Sequence, residues 1–278
     1  MLHKEINIEL DYTGLNLEHD TAFQPVLTTY VLDPCMEGDF SKPRPAVIVC
    51  PGGSYEFTSD REAEPVALAW NARGYHAFVL RYSVAPARFP CALFELATAV
   101  SLVRKHAEKW HIDPNCIYVC GFSAGGHLTA SLGVFWDSDF LKGALSFQKN
   151  EHRPNGLILS YPVITSGEFT HEDSMKNLLG ERYNDPYWRK KLSLELQVSA
   201  MTPRCFLWHT YDDDLVPVEN SLLFASALRR SHIPLELHIY PKGVHGLSLA
   251  NEQSGDTGEL VVPEIQNWID MAARWGKR

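Results

Sequence analysis

Short apolar runs recur along the chain: AVIVC (46–50), HAFVLRY (76–82), CIYVCG (116–121), GLILSYP (156–162), CFLWHT (205–210) and LELHIYP (235–241). A strand with one wet face alternates polar and apolar residues, so runs like these read as strands buried on both faces. Stretches with helical spacing separate them. REAEPVALAWNARG (61–74) opens with acids that suit a helix N-terminus and closes on Gly74, a helix stop. In CALFELATAVSLVRKHAEKW (91–110), Leu93, Leu96, Ala97, Val100 and Val103 share one helical face, and VENSLLFASALRRS (218–231) and PEIQNWIDMAARW (263–275) read the same way. Strand and helix in alternation predict an α/β fold with a mostly parallel central sheet and helices on both faces. KEINIEL and TTYVLDP, within the first 35 residues, predict an antiparallel pair of strands leading into it.

No repeat or linker-like composition divides the 278 residues, so 1–278 is expected to be a single domain, long enough to bury a full core without disulfides or metals. Residues 136–155 and 164–200 are longer than the usual connection of about two to six residues. Both are expected to be cap or lid insertions, since long connections above strand ends build lids and pockets. A formal charge of −9 argues against nucleic acid or an anionic membrane as partner. No apolar run approaches the roughly 20 residues of a membrane helix, and MLHKEINIELDYTG lacks the layout of a secretory signal, so a cytoplasmic location is the expectation. Cys50, Cys116, Cys120 and Cys205 lie in or beside apolar runs and read as thiols of a reducing compartment, not as disulfide partners or zinc ligands.

Where CIYVCG gives way to a helical pattern stands GFSAGG (121–126). A serine hydroxyl is a weak nucleophile near neutral pH, so it must be exposed, near a base and beside donors for the oxyanion it creates. G-x-S-x-G between strand and helix is the nucleophile elbow, a sharp turn that holds the serine, here Ser123, in strained geometry. Small residues at 121 and 125 let strand and helix approach closely, and Gly126 relieves the next contact. The N–H of Ala124 then faces the oxyanion from the positive end of a helix. A second donor belongs on the loop after an earlier strand; in AVIVCPGGSYEF the N–H groups of Gly53 and Ser54 are placed for it.

The base should be a histidine on a late loop, with an acid between serine and histidine in the chain. Of the 12 histidines, most fall in strand or helix patterns, and His152 and His171 lie in the long connections. His245, in KGVHGLSL after the last strand run, is free to turn back toward Ser123. Three consecutive aspartates, Asp212, Asp213 and Asp214, follow CFLWHT. Only one can be the buried carboxylate that orients the imidazole, and composition does not rank them.

Together, CPGGSYEFTSDREAEPVA, GFSAGGHL, HTYDDDLVPVENS and GVHGLSL resemble the α/β-hydrolase serine esterases, specifically the bacterial acetyl-xylan-esterase-like, carbohydrate esterase branch. The likeness runs from about residue 30 to the C-terminus. It implies the α/β-hydrolase fold with a small insertion cap, and a triad of Ser123 as nucleophile, His245 as base and Asp213 as acid. That acid follows from the family pattern H-x-x-x-D-x-x-V-P laid on His209 and Val216. Gly53, Ser54 and Ala124 match the oxyanion hole, although Pro51 stands where many relatives carry a histidine. The resemblance further implies hydrolysis of short acyl esters, acetyl above all, of sugars or xylo-oligosaccharides, with no cofactor and no metal. Tyr55, Trp136, Tyr183, Tyr187 and Trp188 are the candidate sugar contacts. The expected partner is a small-molecule acyl ester; self-association as a homo-oligomer stays open. Feruloyl or medium-chain esters are an alternative. A prolyl-oligopeptidase-type peptidase would need a gating domain for which these residues leave no segment, and a non-catalytic receptor of this fold would have lost a triad member.

Overall fold

Alternate residues of each apolar run point to opposite faces of a sheet, and this splits the interior in two. In the computed structural model, which describes residues 1–34, 42–145, 147, 148, 150–256 and 258–278, Ala46, Ile48 and Cys50 of strand β3 (Arg44–Cys50) enter one core. Val47 and Val49 enter the other. The same division holds in β5 (Ile112–Phe122), with Ile117 and Val119 on the first side and Tyr118 and Cys120 on the second.

Eight strands among the described residues make one sheet. Besides β3 and β5 they are β1 (Leu2–Asn7), β2 (Val26–Val31), β4 (His76–Arg81), β6 (Gly156–Ser160), β7 (Cys205–Thr210) and β8 (Leu235–Tyr240). The order is β1-β2-β4-β3-β5-β6-β7-β8. β2 pairs antiparallel with both β1 and β4, as expected of an N-terminal hairpin-like entry, and the remaining pairs are parallel. Helices α2 (Cys91–Lys105), α3 (Ser123–Phe135) and α7 (Glu219–Arg230) cover the first core. Helices α1 (Glu64–Asn71) and α8 (Trp268–Gly276) cover the second, where Trp208 and Trp268 stack at 5.4 Å. Among the described residues no helix is long and apolar enough to cross a membrane.

Two expectations are corrected by direction and order. LELHIY reads as buried on both faces, but β8 is an edge strand with half-buried residues and an exposed Ile239. Residues 136–155 read as a cap. Since α3 starts at Ser123 and runs back along the sheet at about 1.5 Å per residue, its far end lies about 18 Å from the serine. The segment after it, with α4 (Asp139–Ala144), therefore starts and finishes away from Ser123: Asn155 N–H donates to Ile117 O at 2.8 Å and Arg104 donates to Asn155 Oδ1 at 2.8 Å, while Phe140 of α4 packs against Phe94 on the flank of α2. Ser146 and Lys149 of this stretch lie outside the described residues. Residues 164–200, with α5 (Glu172–Leu179) and α6 (Pro186–Lys191), do lie at the strand ends beside Ser123. Val163 N–H donates to Ser123 O at 3.1 Å, and His127 Nε2 of α3 meets Leu192 O at 3.1 Å.

The tightest packing is between α3 and the chain leaving β3. A Cβ at Gly125 would lie 2.1 Å from Cys50 O and 2.4 Å from Pro51 O, both backbone atoms that no side-chain motion can relieve. Gly125→Ala is therefore expected to destabilise the fold by about 1–3 kcal/mol, read as a lower urea midpoint. Gly143→Ala, where an added Cβ meets nothing within 4 Å, should not lower it.

Candidate active site

β5 passes into α3 with no intervening loop: Phe122 is extended at φ −117°, and Ser123, the next residue, is at φ 50°. This left-handed geometry costs a non-glycine residue about 1–3 kcal/mol and turns the serine out of the strand. Ala124 follows in the first helical turn, where an N–H has no preceding helical carbonyl to bond.

Ser123 Oγ lies 2.8 Å from His245 Nε2, and His245 Nδ1 lies 2.7 Å from Asp213 Oδ2. The Asp213 side chain is fully buried, while Asp212 and Asp214 are exposed. Its other oxygen accepts from Leu215 N–H at 3.1 Å and Val216 N–H at 2.9 Å, and His209 Nε2 approaches Oδ2 at 3.3 Å. His209 Nε2 also faces Val216 O at 2.9 Å, so this nitrogen carries the proton and Nδ1 accepts from the Ser221 hydroxyl at 2.6 Å. Burial alone would raise the Asp213 carboxyl. The bonds from His209 and His245, the attraction of His245 and the Val216 N–H outweigh it and hold the group well below the usual carboxylate range. Asp212 serves a different end, since its Oδ1 accepts from Gly243 N–H at 2.8 Å and ties the acid loop to the loop that carries His245.

The loop after β3 is equally constrained. Gly53 is at φ 126°, Ser54 and Tyr55 both at φ 57°, and Glu56 and Phe57 N–H close the turn onto Gly53 O at 2.8 and 3.1 Å. A Cβ at Gly53 would lie 2.3 Å from Phe57 O, so only glycine fits. Asn177 of α5 donates Nδ2–H to Ser54 O at 3.0 Å, and the Tyr55 hydroxyl meets His127 Nδ1 at 2.9 Å. Burial pushes His127 down to about 4, so it stays neutral and binds Tyr55 on one side and Leu192 O on the other.

A cleft of about 190 Å³ opens on Ser123, lined by Gly53, Ser54, Phe57, Leu215 and His245 among others. None of the aromatic side chains expected to contact sugar lines it. Tyr55 is 2% exposed and spent on His127. Trp136 is buried at the far end of α3, donating to Met201 O at 2.9 Å. Tyr183 packs against Val163, Met175 and Val216, and Trp188 lies against Phe89 under the Arg182 guanidinium. Tyr187 is exposed on α6. Phe57 and Leu215, both exposed, stand at the mouth of the cleft, and Phe57 also walls a neighbouring groove of about 500 Å³ that includes Phe23, Tyr82 and Val84. Sequence reasoning misses these, together with His209 and Glu62; only the H-x-x-x-D spacing points toward His209.

Residues 32–228 match the BD-FAE family. The chain belongs to that family. Endo-1,4-beta-xylanase B of Butyrivibrio fibrisolvens is 40% identical over 244 residues, covering 86% of this chain and 37% of its own. Acetylxylan esterase of Xylanibacter ruminicola is 34% identical over 229 residues, covering 81% of this chain and 45% of its own. The chain thus spans less than half the length of these two relatives. An acetyl ester-xyloside bifunctional hydrolase from Caldicellulosiruptor lactoaceticus has a similar structure, with TM-score 0.83 at 40% identity over 99% of this chain and 95% of that one. A carboxylesterase from Lactobacillus plantarum gives 0.84 at 25% identity over 100% and 97%. The fold is the α/β-hydrolase fold, and the chain is similar to proteins named as an acetylxylan esterase and an acetyl ester-xyloside hydrolase.

Because the folded state holds Asp213 below the ordinary value of about 3.9, its stabilisation is complete above that value and is lost as pH falls through the lower, folded-state one. The stability difference between the protein and Asp213→Asn should be constant near neutral pH and shrink as pH drops from about 5 to 2. Urea midpoints across that range check it; a constant difference would contradict the depressed carboxyl.

Proposed function

We propose that the chain is a serine carboxylic ester hydrolase that removes short acyl groups, acetyl above all, from xylo-oligosaccharides or other acylated sugars. The observation that carries this reading is the unbroken hydrogen-bond chain from Ser123 through His245 to Asp213. As Ser123 Oγ bonds to the ester carbonyl carbon, His245 Nε2 takes its proton. The carbonyl oxygen becomes an oxyanion, for which the N–H groups of Gly53, Ser54 and Ala124 are the donors. Asp213, ionised and buried, stabilises the imidazolium. His245 then gives the proton to the departing alcohol oxygen and leaves an acyl-enzyme. A water molecule, deprotonated by the same Nε2, attacks the acyl carbon; the acid departs and Ser123 recovers its proton.

A cleft of about 190 Å³ suits a short acyl group, being smaller than the roughly 300–1,000 Å³ of drug-sized pockets. The sugar preference rests on relatives named as an acetylxylan esterase and an acetyl ester-xyloside hydrolase. The exposed Phe57 and Leu215 at its mouth favour a second reading, an aryl ester such as feruloyl.

Ser123→Ala should abolish p-nitrophenyl acetate hydrolysis with the fold intact, measured by circular dichroism; retained turnover refutes the mechanism. Asp213→Asn should lower kcat by about 10³–10⁴, Asp212→Asn and Asp214→Asn far less; an equal loss at Asp212 would reassign the acid. Rates of acetate release from acetylated xylo-oligosaccharides, set against an acyl chain-length series and a feruloyl ester, decide the substrate. A preference for octanoyl or longer chains removes the short-acyl reading, and faster feruloyl release favours the second.

A further inference from the structure

Glu62 is a buried carboxylate, 3% exposed, that the steps above do not use. It ends the short 3-10 turn Asp60–Glu62 that precedes α1 and reaches the wall of the cleft. Its two oxygens accept from two different parts of the chain. Oε2 takes Gly52 N–H at 2.7 Å, at the root of the Gly53–Ser54 loop, and Oε1 takes the Tyr161 hydroxyl at 2.7 Å, just past β6. That hydroxyl in turn accepts Ser248 N–H at 2.8 Å, on the loop that carries His245, and the Tyr161 ring meets the His245 ring edge-on at 5.0 Å.

The preceding residue holds the same loop. Arg61 donates to Gly246 O at 3.0 Å and Ser254 O at 2.8 Å, and its carbonyl accepts from Ser248 Oγ at 2.8 Å. Burying a carboxylate costs several kcal/mol unless its oxygens are bonded. An apolar residue could fill the space, but only a carboxylate offers two acceptors, pointing apart, to donors on two loops.

We propose that Glu62, acting through Tyr161, is a positioning residue that sets the spacing between the oxyanion loop and the histidine loop. The proposal rests on the serine-esterase reading above. Oxyanion donors must lie about 2.7–3.1 Å from the oxyanion, and this oxygen moves only as the tetrahedral state forms. A small displacement of the Gly53 loop relative to Ser123 and His245 therefore slows the reaction while leaving ground-state binding in place.

The test is kcat and KM for p-nitrophenyl acetate in Glu62→Gln, Glu62→Asp, Tyr161→Phe and the Glu62→Gln/Tyr161→Phe double variant. Each single change should lower kcat about 10–100-fold with KM within about twofold. The double variant should be no slower than its slower parent, because both changes break one relay. Glu62→Asp keeps the charge but is too short to reach both donors, so it should be as slow as Glu62→Gln. Multiplied losses in the double variant, full activity in Glu62→Asp, or a rise in KM at unchanged kcat would each overturn the proposal. Should the Glu62 variants fail to fold, Tyr161→Phe decides alone: wild-type kcat there overturns it. Activity surviving in Ser123→Ala would instead overturn the serine-esterase reading, so the two failures are distinguishable.

Discussion

The structure depends on the contact of the first turn of α3 with the backbone leaving β3. Gly125 brings the helix within van der Waals limits of the Cys50 and Pro51 carbonyls, and no residue with a Cβ permits that distance. The close approach lets β5 turn into α3 at one residue, and that residue, Ser123, takes up the left-handed strain. The same contact sets the chain at Gly52 against Ser123, so the Gly53–Ser54 loop and the proposed nucleophile share one cleft. Strain held this way persists because the surroundings over-determine it.

Around the crossing, buried polar groups are satisfied in pairs of loops. Asp213 is bonded by two backbone N–H groups and two histidines, which keeps a charge stable away from water. His127, neutral and buried four residues after Ser123, joins the loop after β3 to the segment beside the site. Asp212 joins the acid loop to the histidine loop. The bonds of His127, of Asp212 to Gly243 and of His245 to Asp213 join segments distant in the chain and so tie the loops of the site to one another.

Much of this is legible in the sequence because the signals are local. Strand-length apolar runs and 3.6-residue spacing locate most strands and helices, and GFSAGG identifies the elbow. The edge position of β8 is not legible, since hydropathy reports burial and not neighbours. Length alone misplaces residues 136–155; the direction of α3 decides which sheet end a connection occupies. Burial separates two of the aromatic candidates from the rest. Tyr55 and Trp136 are core residues here, and an aromatic side chain serves a core or a sugar equally well. Glu62 leaves no trace because one glutamate in an acidic helix start looks like a solvated cap.

The amino-acid order alone determined the alternating architecture, the strained serine and the placement of a histidine after the last strand, because each follows from neighbours in the chain. Among three adjacent aspartates it left the residues themselves equivalent, and family resemblance singled out Asp213. Only the tertiary structure decided which carboxylate is buried against His245, which connections border the site and how Glu62 bridges two loops. Those outcomes depend on donors supplied by segments far apart in sequence, which meet only once the sheet has assembled.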